Sequence, residues 1–187
     1  MVKQRKQSNF FESLKERTTG RTTHSGSLAK GKRKERRPLE TKKALHLVMR
    51  ASKATGKLNM LRTEHRTHVE KTVRRQATKF GIRIASFANV GNHLHILLRF
   101  SHRRSFQQFL KSSTAMIARI VTKARKGNPF GKFWDALAYS RIVRTAKEIA
   151  IVRKYVAANV IEASLGKVAR DTFLKEKSSW EEKLYSG

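Results

Sequence analysis

Two histidines stand at i and i+2 in the segment Asn92-His93-Leu94-His95. In an extended chain they point to one side, about 6–7 Å apart along the strand. Two imidazoles so placed suit a single metal ion; they equally suit a pair of surface histidines on a basic protein. A second pair, Tyr155 and Asn159, stands at i and i+4 and so shares one face of a helix. A tyrosine beside Val152 and Val156 commonly serves a core, whereas an asparagine in mid-helix competes with the backbone for hydrogen bonds. If that helix packs over the strand, His93, His95, Asn159 and the Tyr155 hydroxyl converge. Two imidazoles and one amide oxygen leave open positions on a divalent ion, Mg2+ or Mn2+, for a phosphate oxygen. A tyrosine beside that phosphate is a nucleophile for phosphodiester transfer.

What the sequence lacks narrows the chemistry. From Lys71 to Lys132 there is no Asp or Glu among 14 Lys and Arg. Enzymes that hold two metals need clustered carboxylates, so a carboxylate-based polynucleotidyl transferase does not fit. There is no G-x-x-x-x-G-K-[ST] loop, hence no support for ATP hydrolysis. No cysteine occurs, which excludes a disulfide framework, a thiolate zinc site and a cysteine nucleophile.

Elements must exist to position these residues. Ala44–Arg50 reads as a strand, residues 61–80 as a helix stopped by Gly81, and residues 82–89 as a second strand. Gly91 and Asn92 supply a turn. His93–Phe100 is a third strand, with Leu94, Ile96, Leu98 and Phe100 on one face and the histidines on the other. Ser105 is the expected cap of a second helix whose apolar stripe runs to Ala124, with Gly127 as its stop. Phe133–Val143 reads as a fourth strand. Thr145-Ala146-Lys147-Glu148 is a capping box opening a third helix to about Ala163. The order predicts an α+β fold: a ferredoxin-like, split βαβ antiparallel sheet of four strands with helices on one face. The added C-terminal helix, which carries Tyr155, is placed to cover the face where His93 and His95 project.

The chain of 187 residues carries 43 Lys and Arg against 13 Asp and Glu, a formal charge of +30. So strong a charge repels itself unless a polyanion screens it, and nucleic acid is the default partner. At 39% apolar residues there is enough to build a core. No apolar run reaches the roughly 20 residues needed to span a membrane, and no signal-peptide pattern opens the chain. Residues 1–40 hold 12 cations, four acids and eight apolar residues, so they read as a basic arm, disordered without a partner. Within it, Phe10, Phe11 and Leu14 are the one candidate for a short helix. Residues 41–166 form the expected domain, and residues 167–187 a charged tail, helical around residues 173–184. Candidate phosphate contacts, assigned from charge and position, are Lys32, Arg33, Lys34, Arg36, Arg37, Arg99, Arg103, Arg104, Lys111, Arg141 and Arg144.

The motif set resembles the single-tyrosine HUH transposases of the IS200-like family, in particular the REP-associated tyrosine transposases. Those proteins carry His-hydrophobic-His after Pro-Asn; here Gly91 replaces the proline in Gly91-Asn92-His93-Leu94-His95. They carry a Trp before a strand, as in Gly131-Lys132-Phe133-Trp134, and a Tyr-hydrophobic-x-x-Asn helix, as in Tyr155-Val156-Ala157-Ala158-Asn159. Many have proline after that Asn, where this chain has Val160. The resemblance covers about residues 41–166. It implies that His93, His95 and Asn159 hold the metal and that Tyr155 is the nucleophile. It further implies cleavage of single-stranded DNA beside a hairpin, leaving a 5′-phosphotyrosine and a free 3′-OH, by a monomer or homodimer. A bacterial, cytoplasmic and nucleoid-associated setting goes with it. The alternative is a basic nucleic-acid binder on the same fold that does no chemistry.

Overall fold

The computed structural model describes residues 22–25, 36–166 and 168–174. The helix expected near Phe10–Leu14 and the run Lys32, Arg33 and Lys34 lie outside them. Among the described residues no helix is long and apolar enough to cross a membrane.

Strands β2 (Ala44–Arg50), β3 (Arg83–Asn89), β4 (His93–Arg99) and β5 (Tyr139–Val143) form an antiparallel sheet in the order β5-β2-β4-β3. That order, with helix α1 (Thr63–Lys79) after β2 and helix α2 (Arg103–Thr122) after β4, is the ferredoxin-like plan. A fifth strand, β1 (Thr23–His24), pairs antiparallel with β5 at the edge. Among the described residues the sheet therefore has five strands rather than four, and the extra one comes from the stretch expected to be an arm. Arg37 ties the next part of that stretch down: its guanidinium donates to Ser140 Oγ and, at 2.8 Å, to the Ala138 carbonyl.

Alternation in the strands sorts the core into two layers. Leu45, Leu47, Met49, Leu94, Ile96 and Leu98 are buried on the face covered by α1 and α2, together with Val69, Val73, Phe106, Phe109 and Ile117. Helix α1 ends in a Schellman motif: Ile82 N–H reaches the Ala77 carbonyl, and Gly81, at φ +64°, donates to that of Thr78. Helix α3 (Ala146–Leu165) crosses the other face, mainly over β3 and β4. It buries Val152 and Val156 against Ala44, Ala88, Leu97 and Val143. The capping box forms as expected, Glu148 N–H donating to Thr145 Oγ1 at 3.1 Å and Thr145 N–H to Glu148 Oε2 at 3.2 Å.

Three boundaries differ from expectation. The segment before β5 is not strand: Phe133 is buried in the core, Trp134 Nε1 donates to the Thr114 carbonyl, and Asp135 N–H donates to the Arg50 carbonyl. Those contacts bend residues 133–138 away from a straight extension. Helix α2 begins at Arg103 with His102 as N-cap, so Ser105 lies inside it, and it ends at Lys123 in the left-handed region. The last helical turns lie at residues 168–174; the remainder of the expected tail helix falls outside the described residues.

Candidate active site

Gly91, before the histidine strand, has φ +90°. Proline is fixed near −65° and has no N–H, whereas Gly91 N–H donates to Asn89 Oδ1 at 3.0 Å. A Cβ here would also come within 2.7 Å of Asn59 Oδ1. With this backbone the turn needs glycine, and that accounts for the departure from Pro-Asn. Val160 likewise suits a helix that continues to Leu165.

The turn delivers His93 and His95 onto the α3 face with ring centroids 4.8 Å apart. Tyr155 descends from α3 and meets His95 edge to face at 5.4 Å. His93 Nδ1 bonds Asn92 Oδ1, so Asn92 orients the first imidazole besides shaping the turn. His95 is 3% exposed, and its Nε2 is buried without a hydrogen-bond partner. Burial, aided by the Arg50 charge, holds His93 down at about 4. Burial first, then neighbouring His46 and His93, holds His95 well below the usual range. Both imidazoles are therefore neutral near pH 7, the form that ligates metal. Burial raises the Tyr155 hydroxyl above its ordinary value, while a hydrogen bond from Asn159 and the charge of Arg170 pull the other way.

Asn159 is buried one turn beyond Tyr155, its Nδ2 donating to the Tyr155 carbonyl at 2.8 Å. Among the described residues it makes no hydrogen bond to either histidine, and no three His, Cys, Asp or Glu side chains are gathered to hold a metal. The donor set fits a divalent ion nonetheless. A buried imidazole nitrogen lacks a partner, a second neutral imidazole adjoins it, and the Asn159 amide oxygen lies on the same helix as Tyr155. Substrate and water oxygens would complete the shell.

Sequence reasoning missed two residues here. His46, fully buried on β2, stacks on His95 with rings 14° from parallel and its Nε2 3.3 Å from His95 Nδ1. Its sequence setting, a lone histidine in an apolar strand, carried no signal without the register. Arg50 stands directly opposite His93 in the β2–β4 register, its side chain 68% exposed and its Nε 3.5 Å from Asp135. Tyr139 also faces this side, paired across β2 with Val48, which in turn pairs with His95.

The expected phosphate contacts divide. Arg36, Arg99, Arg104 and Lys111 are exposed, and Arg103 and Arg37 are partly buried. Arg141 is not available: it is 5% exposed and ion-paired with Glu148 at 3.2 Å, because it points under α3. Arg144 is engaged by Glu40 at 2.9 Å.

The chain thus lays a tyrosine-bearing helix over the histidine strand of a ferredoxin-like antiparallel sheet. Residues 41–159 match the IS200-like transposases, and the chain belongs to that family. The fold is similar to that of the REP-associated tyrosine transposase bound to a REP hairpin, with TM-score 0.56, 10% identity, and 71% of this chain and 74% of that one covered. A chain from Deinococcus radiodurans R1, solved as a candidate transposase, matches with TM-score 0.42, 19% identity, and coverage of 68% and 97%. No curated relative matches the chain.

Proposed function

We propose that the chain nicks and rejoins single-stranded DNA through Tyr155, with Mg2+ or Mn2+ held by His93, His95 and Asn159. The observation that supports this most is the convergence of His93, His95 and Tyr155 under one helix, with His95 Nε2 buried and unpartnered. The ion, when bound, would polarise the scissile phosphate. Tyr155 Oη forms the new bond to phosphorus and gives up its proton. The bond from phosphorus to the 3′ oxygen breaks, and that oxygen takes up a proton to leave as a 3′-OH. The 5′ phosphate stays on the tyrosine. Attack by another 3′-OH reverses the step and joins strands without ATP.

The attacking oxygen must approach in line with the leaving one, which a flexible single strand permits more easily than a stacked duplex. The fold shared with a hairpin-bound transposase favours a strand beside a hairpin as substrate. Arg50, exposed across from His93, is the cation best placed to meet a phosphate at the site. Arg36, Arg99, Arg103, Arg104 and Lys111 offer further contacts.

The test is a denaturing gel after incubation with Mn2+ and a hairpin-flanked single strand. A band of protein joined to the downstream fragment is expected. It should vanish with Tyr155→Phe or EDTA and persist with Tyr139→Phe. If Tyr139→Phe abolishes the band and Tyr155→Phe does not, the nucleophile is misassigned. If no adduct forms on any such strand, binding without chemistry becomes the better reading.

A further inference from the structure

We propose that His46 is a positioning residue for His95: stacked beneath it, His46 accepts a hydrogen bond from the His95 Nδ1–H and so leaves the Nε2 lone pair of His95 directed at a divalent cation. This rests on the metal reading above and extends it to a residue outside the expected ligand set.

The argument begins with register. His46 on β2 pairs with Leu97, and Val48 pairs with His95, so His46 lies diagonally from His95 on the same face of the sheet. Their facing nitrogens, His46 Nε2 and His95 Nδ1, are 3.3 Å apart, and both rings are buried. A hydrogen bond between two neutral imidazoles uses one N–H and one lone pair, which allows two arrangements. In the first, His95 donates from Nδ1 and its Nε2 is a lone pair. In the second, His46 donates from Nε2 and the His95 proton sits on its own Nε2, where it blocks ligation. Only the first is compatible with a cation, because a ligating nitrogen cannot carry a proton.

Arg141 lies opposite His46 in the β2–β5 register. Arg141 is itself fixed by Glu148 at 3.2 Å. Tyr155 meets the His46 ring edge-on at 6.2 Å. Glu148, in the first turn of α3, thus fixes the cation that stands across the sheet from His46. His93 shows the same arrangement by another route, its Nδ1 engaged by Asn92 Oδ1, an oxygen that can only accept. In both histidines the nitrogen away from the partner is Nε2. Ligating histidines generally have their second nitrogen so engaged, and loss of that partner weakens metal affinity about 10–100-fold.

Mn2+ affinity of the full chain, read from the electron paramagnetic resonance of free Mn2+ without DNA, tests the proposal. It is paired with the His95 tautomer, read from long-range proton–nitrogen NMR of chain labelled at histidine. His46→Leu keeps an apolar body in the strand but offers no acceptor. It should weaken Mn2+ binding about 10–100-fold and shift the His95 proton from Nδ1 to Nε2. His46→Gln supplies an amide oxygen and should restore the Nδ1 proton and most of the affinity. Unchanged Mn2+ affinity and tautomer in His46→Leu would overturn the proposal while leaving the metal reading intact. Absence of Mn2+ binding by the unsubstituted chain would overturn the metal reading and this inference with it. Should the leucine variant fail to fold, His46→Phe decides by the same two readouts.

Discussion

On β4, Leu94, Ile96 and Leu98 turn toward α1 and α2, while His93 and His95 turn toward α3. The same alternation on β2 sends Leu45, Leu47 and Met49 one way and His46 and Arg50 the other. The first face is closed by two amphipathic helices and holds aliphatic and aromatic side chains. The second is closed by one helix over a small apolar cluster, and it buries His46, His95, Arg141 and Asn159. Burial of apolar area stabilises the first face. On the second, each polar group needs a partner, and His95 Nε2 is buried without one.

The contrast can be broken by substitution. His95→Ala should lower cleavage by more than about 100-fold while leaving the fold and most DNA affinity, since the second face contributes less to the core. Ile96→Ala, one residue away and fully buried against α1 and α2, should do the reverse and cost about 2–5 kcal/mol of stability in urea titration. If His95→Ala unfolds the chain and Ile96→Ala does not, the division between faces is wrong.

Acid sharpens it. His46 and His93 sit at about 4 in the folded chain against 6.5 for an ordinary histidine. Below 6.5 the unfolded chain binds protons that the folded chain excludes. Stability is therefore full above about 6.5 and falls as pH drops toward 4, by on the order of a few kcal/mol. The β2 and β4 side chains on the first face carry no titratable group, so this response belongs to the second. His46→Leu should flatten the slope by about one proton; an unchanged slope would place the response elsewhere. The smallest effect expected is from Arg50→Gln. It should leave stability within about 0.5 kcal/mol and reduce the slope of log affinity against log salt by about 0.7 on single strands.

The sequence made the local features legible. His93 and His95 show their common face through a period of two, Tyr155 and Asn159 theirs through a spacing of four, and Thr145 with Glu148 form a box within one turn. What depends on pairing across the chain was hidden. His46 becomes part of the site only through its register with β4, and β1 meets β5 across more than a hundred residues. Arg141 reads as one more cation in a basic chain until Glu148 is seen above it. Phe133 and Trp134 favour a strand by type, but their rings and the Asp135 backbone are claimed by the core, α2 and β2.

Helix α3 is fastened at its start, where Glu148 holds Thr145, Arg144 and Arg141 at once. Tyr155 lies seven residues further on, about 10 Å along the axis. The helix is thus a lever pivoted at one end with Tyr155 on its arm. A tilt of about 6° about the pivot carries Tyr155 about 1 Å, which exceeds the roughly 0.5 Å tolerance of a reacting group. The cap cannot resist such a tilt, because it acts at the fulcrum. The position of the tyrosine is set instead by Val152 and Val156 seated on Ala44, Ala88, Leu97 and Val143.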